Sequence, residues 1–218
     1  MDFTQLLAPF MRIAEIGGPV VVILICVGLL TLAVTLYKLW QFWMAGVGRH
    51  NALRDCMVAW DHGDRTAARV AIDSSSSYLA PLVDIALSAD PDMAERLQAD
   101  AESSFAKLER GLRLLDSVAQ LAPLLGLFGT VLGMIEAFQS LQDAGAQVDP
   151  SILAGGIWVA LLTTAVGLVV AMPTAFILSW FESRMEAERV VADQAILTIL
   201  RPVNKTHAPS SDMVAAHA

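Results

Sequence analysis

Residues 151–181 read SILAGGIWVALLTTAVGLVVAMPTAFILSWF, with Asp149 before the run, Glu182 after it and no charged side chain between. A helix rises about 1.5 Å per residue and the hydrocarbon core of a bilayer is about 30 Å thick, so roughly 20 apolar residues suffice to cross it. This run is longer than that. It must tilt, kink at Pro173 or project beyond the lipid. Two further stretches meet the same demand: Val20 to Tyr37, introduced by Gly17-Gly18-Pro19 and closed by Lys38, and Ser117 to Ile135, between Asp116 and Glu136.

Composition agrees. Of 218 residues, 56% are hydrophobic and 17% charged, and the mean hydropathy is +0.57. Soluble domains carry about a quarter charged residues. Two cysteines exclude a disulfide scaffold, and a net charge of −8 excludes a strongly basic nucleic-acid binder. The expected fold is an all-α membrane protein with three transmembrane helices. Two of them extend far into the cytoplasm and join an oligomeric helical bundle.

Basic residues set the expected orientation. Arg49, Arg54, Arg65, Arg69, Arg96, Lys107, Arg110 and Arg113 lie between the first and second spans, and Arg184, Arg189, Arg201 and Lys205 follow the third. The turn between spans two and three has no Lys or Arg, and the N-terminal segment has only Arg12. The N-terminus is therefore expected to be periplasmic and the C-terminus cytoplasmic, with the first span an uncleaved anchor. Residues 1–19 form a periplasmic amphipathic segment carrying Phe3, Leu6, Leu7, Phe10 and Ile13 at near-helical spacing, residues 20–43 the first transmembrane helix, and 44–116 a cytoplasmic helical loop. Residues 117–136 are the second transmembrane helix, 137–150 a periplasmic turn, 151–181 the third transmembrane helix, 182–203 a cytoplasmic extension and 204–218 a disordered tail.

Within the loop, Ser74–Ser77 and Asp90-Pro91-Asp92 read as breaks. Beyond Pro91 only Gly111 interrupts a helical pattern, so one helix is expected to run straight into the second span. The third is expected to continue to Pro202. The Arg/Glu mixture from Glu95 to Arg113 reads as a solvated face with ion pairs between subunits. No repeat, nucleotide-binding glycine loop, H-E-x-x-H, C-x-x-C or G-x-S-x-G occurs. An enzyme, a metal site and a cofactor are not expected; His50 and His62 lack clustered ligands.

The second span carries Gly126, Gly129 and Gly133, and the third carries Gly156, Ala160, Thr164, Gly167 and Ala171 as a stripe of small side chains. In lipid such stripes let helix backbones approach closely. Thr130 and Thr164 lie mid-span, where a hydroxyl can bond its own helix or face a narrow wet pathway. Thr163 and Gln120 are further polar candidates. Trp40, Trp43 and Trp180 suit an aromatic belt. Glu136 reads as an ordinary interfacial carboxylate.

The Gly17-Gly18-Pro19 segment, APLLGLFGTVLGMIEAF (Ala122 to Phe138) and GGIWVALLTTAVGLVVAMP (Gly155 to Pro173) together resemble the MotA/TolQ/ExbB proton channel family, and most of all its ExbB branch. The resemblance covers most of the chain. It implies a homo-oligomer, a pentamer, around the single spans of a dimeric ExbD- or TolR-like partner in the central pore. Proton flow through the bacterial inner membrane then drives a TonB- or TolA-like protein that spans the periplasm. The family's pore-lining threonines match Thr130 and Thr164.

The chain departs from the family at one position. The motif G-I-x-E-A-L appears here as Gly156-Ile157-Trp158-Val159-Ala160-Leu161, so Val159 stands where the family has glutamate. No Asp, Glu, Lys, Arg or His then lies inside the three uncharged runs, although such residues normally mark a proton relay. Val159 is expected to leave assembly intact while weakening proton-coupled work. The leading reading is a motor subunit energising TonB-type transport across the outer membrane. The alternatives are a TolQ-like envelope-maintenance subunit and a non-conducting structural collar. A solitary transporter fits poorly, because no repeat, broken helix or charged midplane site is present.

Overall fold

The computed structural model describes the backbone of residues 3–143 and 150–202, and the side chains of 17–143, 150–151 and 153–202. Seven α-helices make up the described chain: α1 Phe3–Met44, α2 Asn51–Asp61, α3 Arg65–Asp73, α4 Ala80–Ala86, α5 Ala94–Glu109, α6 Leu112–Asp143 and α7 Pro150–Leu200. A single 3-10 turn, Pro91–Met93, stands between α4 and α5, and no strand occurs among the described residues. Three helical stretches are long and apolar enough to cross a membrane: Gly17–Met44, Leu112–Asp143 and Leu153–Leu200. The all-helical, three-span expectation is met. The expected tail and the centre of the expected turn between spans two and three lie outside the described residues, as do the side chains that would make the N-terminal segment amphipathic.

The chain divides into two units. The first comprises residues up to Lys38 and Gly111–Phe181. Its helices meet along Val20, Leu24, Val118, Ala122 and Ala171, with Val27, Leu125 and Val170 packed against them. Large apolar side chains elsewhere on the spans face outward, among them Leu29, Leu124, Trp158, Val169 and Phe176 at 81% exposure. Water would penalise such a surface; lipid or a neighbouring apolar helix would not.

Gly18 bends α1, with φ 68° and ψ −167°. It precedes Pro19, whose ring disfavours helical backbone at the residue before it, and glycine adopts the left-handed value without a Cβ clash. Pro123 and Pro173 sit inside α6 and α7, which continue through them. Each lacks an N–H, so the carbonyls of Ala119 and Val169 lose their partner four residues on.

The second unit comprises Leu39–Arg110 and the chain from Glu182. Leu53, Ala68, Ile72, Val83, Leu97, Phe105, Met185 and Ile196 are buried in it. Short amphipathic helices suit this core, since each places apolar residues at intervals of three to four on one face. Asp64 caps α3 by accepting from the Ala67 amide at 2.9 Å, and that amide holds its carboxyl below the usual carboxylate range. Trp60 Nε1 donates to the Ile199 carbonyl at 2.8 Å, and the Arg65 guanidinium lies 3.4 Å from the Trp60 ring centre.

The structure corrects one expectation of continuity. The helix after Pro91 does not run unbroken into the second span: α5 ends at Glu109, Arg110 is extended at ψ 126° and Gly111 takes φ 91°. A Cβ at Gly111 would also come within 3.3 Å of Lys38 Cε. The break thus needs a residue without a side chain for two reasons. On α7 the expected continuation to Pro202 is met, since the helix reaches Leu200. Two acids of the Glu95–Arg113 stretch pair within the chain: Arg189 meets Glu109 at 2.7 Å and Glu102 at 3.3 Å.

Candidate functional site

The site lies where α6 and α7 pass closest. A Cβ built on Gly126 would stand 3.0 Å from the Thr163 carbonyl oxygen and 3.0 Å from Thr164 Cα. One built on Gly167 would stand 2.6 Å from the Ala122 carbonyl oxygen, and one on Gly129 2.7 Å from Thr163 Cβ. Gly133 faces Ala160, and Gly156 packs so tightly on Ala137 that no side chain fits. The glycines of the second span and the small stripe of the third therefore interdigitate, which is how backbones come together where side-chain packing drives association. Pro173 is exposed and does not join this seam.

Close approach brings hydroxyls and carbonyls together. Thr163 is 2% exposed, and its Oγ1 donates to the Ala160 carbonyl at 2.7 Å while also lying 3.2 Å from the Gly126 carbonyl oxygen. Thr164 Oγ1 donates to the same Gly126 carbonyl at 3.2 Å. Thr130, one turn further along α6, donates to the Leu127 carbonyl of its own helix at 2.6 Å. Thr164 and Thr130 thus occupy adjacent turns of the contact, but they do not bond each other. Gln120 is exposed and donates to Asp116 at 2.7 Å, apart from this cluster.

A cavity of about 420 Å³ opens beside the seam. Gly18, Pro19 and Val20 wall it from α1, Gly129, Gly133 and Glu136 from α6, and Gly156, Val159 and Thr163 from α7. Val159, the position of the family glutamate, therefore faces a chamber that also contains a buried hydroxyl. Sequence reading named Val159 and Gly156 but set Glu136 apart at the end of its span and ranked Thr163 behind Thr164. The signal for Thr163 lay in its spacing: it falls three residues after Ala160 and four before Gly167, on the buried face. A second cavity, of about 190 Å³, is lined by Thr31, Thr35, Pro173 and Thr174. Thr31 and Thr174 bond the carbonyls of Val27 and Val170 on their own helices.

The second unit holds a buried polar cluster that the sequence did not announce. Glu188 is 1% exposed; its Oε1 accepts from the Gly48 amide at 2.8 Å and meets His50 Nε2 at 2.8 Å. Burial, and then the Glu188 charge, push the Tyr78 phenol above its ordinary range. Burial likewise pushes the Cys56 thiol up, which makes it a poor nucleophile. Among the described residues no group of three or more His, Cys, Asp or Glu could hold a metal ion.

Three apolar spans, a glycine seam and hydroxyls gathered at its centre define a helical membrane protein with a polar chamber among its spans. Sequence comparison gives the family: a model of the MotA/TolQ/ExbB proton channel family matches residues 66–194, and the chain belongs to that family. It is similar to the biopolymer transport protein exbB1 of Vibrio cholerae, 49% identical over 63 residues, covering 29% of this chain and 28% of the relative. It is 44% identical over 78 residues to a putative biopolymer transport protein, ExbB-like 1, of Synechocystis, covering 35% of this chain and 31% of the relative. With the Tol-Pal system protein TolQ of Pseudomonas aeruginosa the identity is 39% over 80 residues, covering 37% and 34%. The matched region spans about a third of the length of these relatives.

Proposed function

We propose that this chain is an ExbB-like subunit of a bacterial inner-membrane motor driven by the proton-motive force. In this reading it forms a homo-oligomer, a pentamer, around the single spans of a dimeric ExbD- or TolR-like partner. The N-terminus is periplasmic, the C-terminus cytoplasmic, and the outward apolar faces of the spans meet lipid and neighbouring subunits. Proton flow moves the partner, and a TonB- or TolA-like protein carries the motion across the periplasm. The subunit does no enzymatic chemistry and needs no cofactor. The observation that carries the reading is family membership over residues 66–194. The relatives named biopolymer transport protein favour the TonB-type role, and those named TolQ keep a Tol-type role as the alternative.

A second reading, a non-conducting collar, is favoured by Val159. A valine side chain has no proton to exchange, and the spans carry no Asp, Glu, Lys, Arg or His between their flanking charges. Co-purification with an ExbD-like single-span protein, native mass spectrometry and proton uptake into vesicles test both. A complex of five subunits on two that conducts protons is the expected result. A complex of that composition without flux is a collar, and failure to form one overturns the motor reading.

A further inference from the structure

We infer that Glu136 on α6 serves as the proton-exchanging carboxylate of this chain, working from the α6 wall of the cavity that Val159 lines from α7. The inference rests on the motor reading above and deepens it. Among the described residues, Glu136 is the single acidic or basic side chain lining that cavity. Asp143, a further acidic residue on α6, lies beyond this lining, and the described residues of α1 and α7 that line it, among them Gly18, Val20, Val159 and Thr163, carry no charge. The cavity reaches from Ser140 to Gly129, three helical turns or about 16 Å along α6, with Glu136 one turn in from Ser140. At its deep end stands Thr163, whose hydroxyl lies beside the Gly126 carbonyl that Thr164 also bonds.

A volume of about 420 Å³ holds on the order of ten waters. The walls are suited to them, since glycines expose backbone and Ser140 and Thr163 add hydroxyl oxygens. Cavity water can therefore connect the Glu136 carboxylate to the Thr163 hydroxyl, both of which line it. The step balances without another reactant. The carboxylate takes a proton from hydronium on the outer side, leaving water, and becomes a carboxylic acid. It then releases that proton to cavity water, forming hydronium there, and returns to its starting charge. Moving the acid from α7 to α6 leaves it facing the same chamber, because the glycine seam sets Gly133 and Ala160 against each other one turn below Glu136 and beside Val159.

The test uses the full complex with its ExbD-like partner in vesicles containing a pH-sensitive dye. Glu136→Gln should reduce partner-dependent flux at least tenfold, Glu136→Asp should retain most of it, and adding Val159→Glu to Glu136→Gln should restore it. If Glu136→Gln conducts within twofold of the unaltered chain, Glu136 is not the carrier although the motor reading stands. If the unaltered complex is silent and Val159→Glu conducts, the family mechanism stands and the relocated carboxylate falls. If neither conducts, both fall. Glu136 is exposed on the described chain, and dicyclohexylcarbodiimide, an apolar reagent that reacts with protonated carboxyl groups reached from the lipid, gives a readout independent of variant folding. Peptide mass analysis of the unaltered complex should find Glu136 modified and Asp143 not, and an unmodified Glu136 overturns the inference.

Discussion

At Glu188 a carboxylate is buried on the inward face of α7, where its neighbours on the same face are Met185, Ala192 and Ala195. A polar group in such a place is tolerated only when it is hydrogen-bonded, and the Gly48 amide and His50 supply those bonds from the segment just after α1. Replacing Glu188 with alanine leaves the Gly48 amide and His50 without their hydrogen-bond acceptor, and should destabilise the second unit by about 1–3 kcal/mol. Thermal unfolding of the complex in detergent, followed by loss of helical circular dichroism, checks this. Glu188→Ala combined with His50→Ala should cost less than the sum of the two alone, because each single change strands the other residue. The pair was not legible in the sequence: 138 residues separate its members, and neither His50 nor Glu188 belongs to a motif. Thr130, Thr163 and Thr164 stand out in the sequence as hydroxyls in otherwise apolar spans. Which carbonyls they bond, and that Glu136 lines the same cavity as Val159, depends on which helix faces theirs.

Helix seams were readable one element at a time. Spacing of small residues by three and four marks one face of α6 and one of α7, and those faces do meet. Pairing the individual residues was not readable, for it depends on the offset between the helices, and nothing in either stretch fixes that. The break at Gly111 escaped for another reason: an isolated glycine in a helical pattern is usually tolerated at about 1 kcal/mol, so it reads as a blemish until its φ is known. The seam makes a sharp contrast testable. Gly167→Ala places a methyl 2.6 Å from the Ala122 carbonyl oxygen, a backbone atom that cannot rotate away. It should cost about 1–3 kcal/mol as overpacking and lower the unfolding temperature of the complex. Gly155→Ala, with nothing within 4 Å of the added carbon, should leave that temperature unchanged or raise it slightly. Equal effects at the two positions would mean that α6 and α7 do not pack in this register.

Across the whole molecule the decisive pattern is charge. Three uncharged runs define where lipid can lie, and the placement of Lys and Arg between them selects which side each connection occupies. The bias is large: eight basic residues lie in the segment between the first two spans, against none between the second and third. Basic residues within about 15–20 residues of a span hold that end on the cytoplasmic side, and Arg49, Arg54, Lys107, Arg110 and Arg113 lie so placed. A chain without its native cysteines, Cys26→Ala and Cys56→Ala, can report this with one new thiol at a time. Gln139 and Asp92 are both exposed, and they lie in segments expected on opposite sides. In intact spheroplasts a membrane-impermeant maleimide should label Gln139→Cys and spare Asp92→Cys until the cells are lysed. The reverse pattern would invert the orientation, and with it the reading of Glu136, which would then stand on the cytoplasmic side and could no longer take up protons entering from the periplasm.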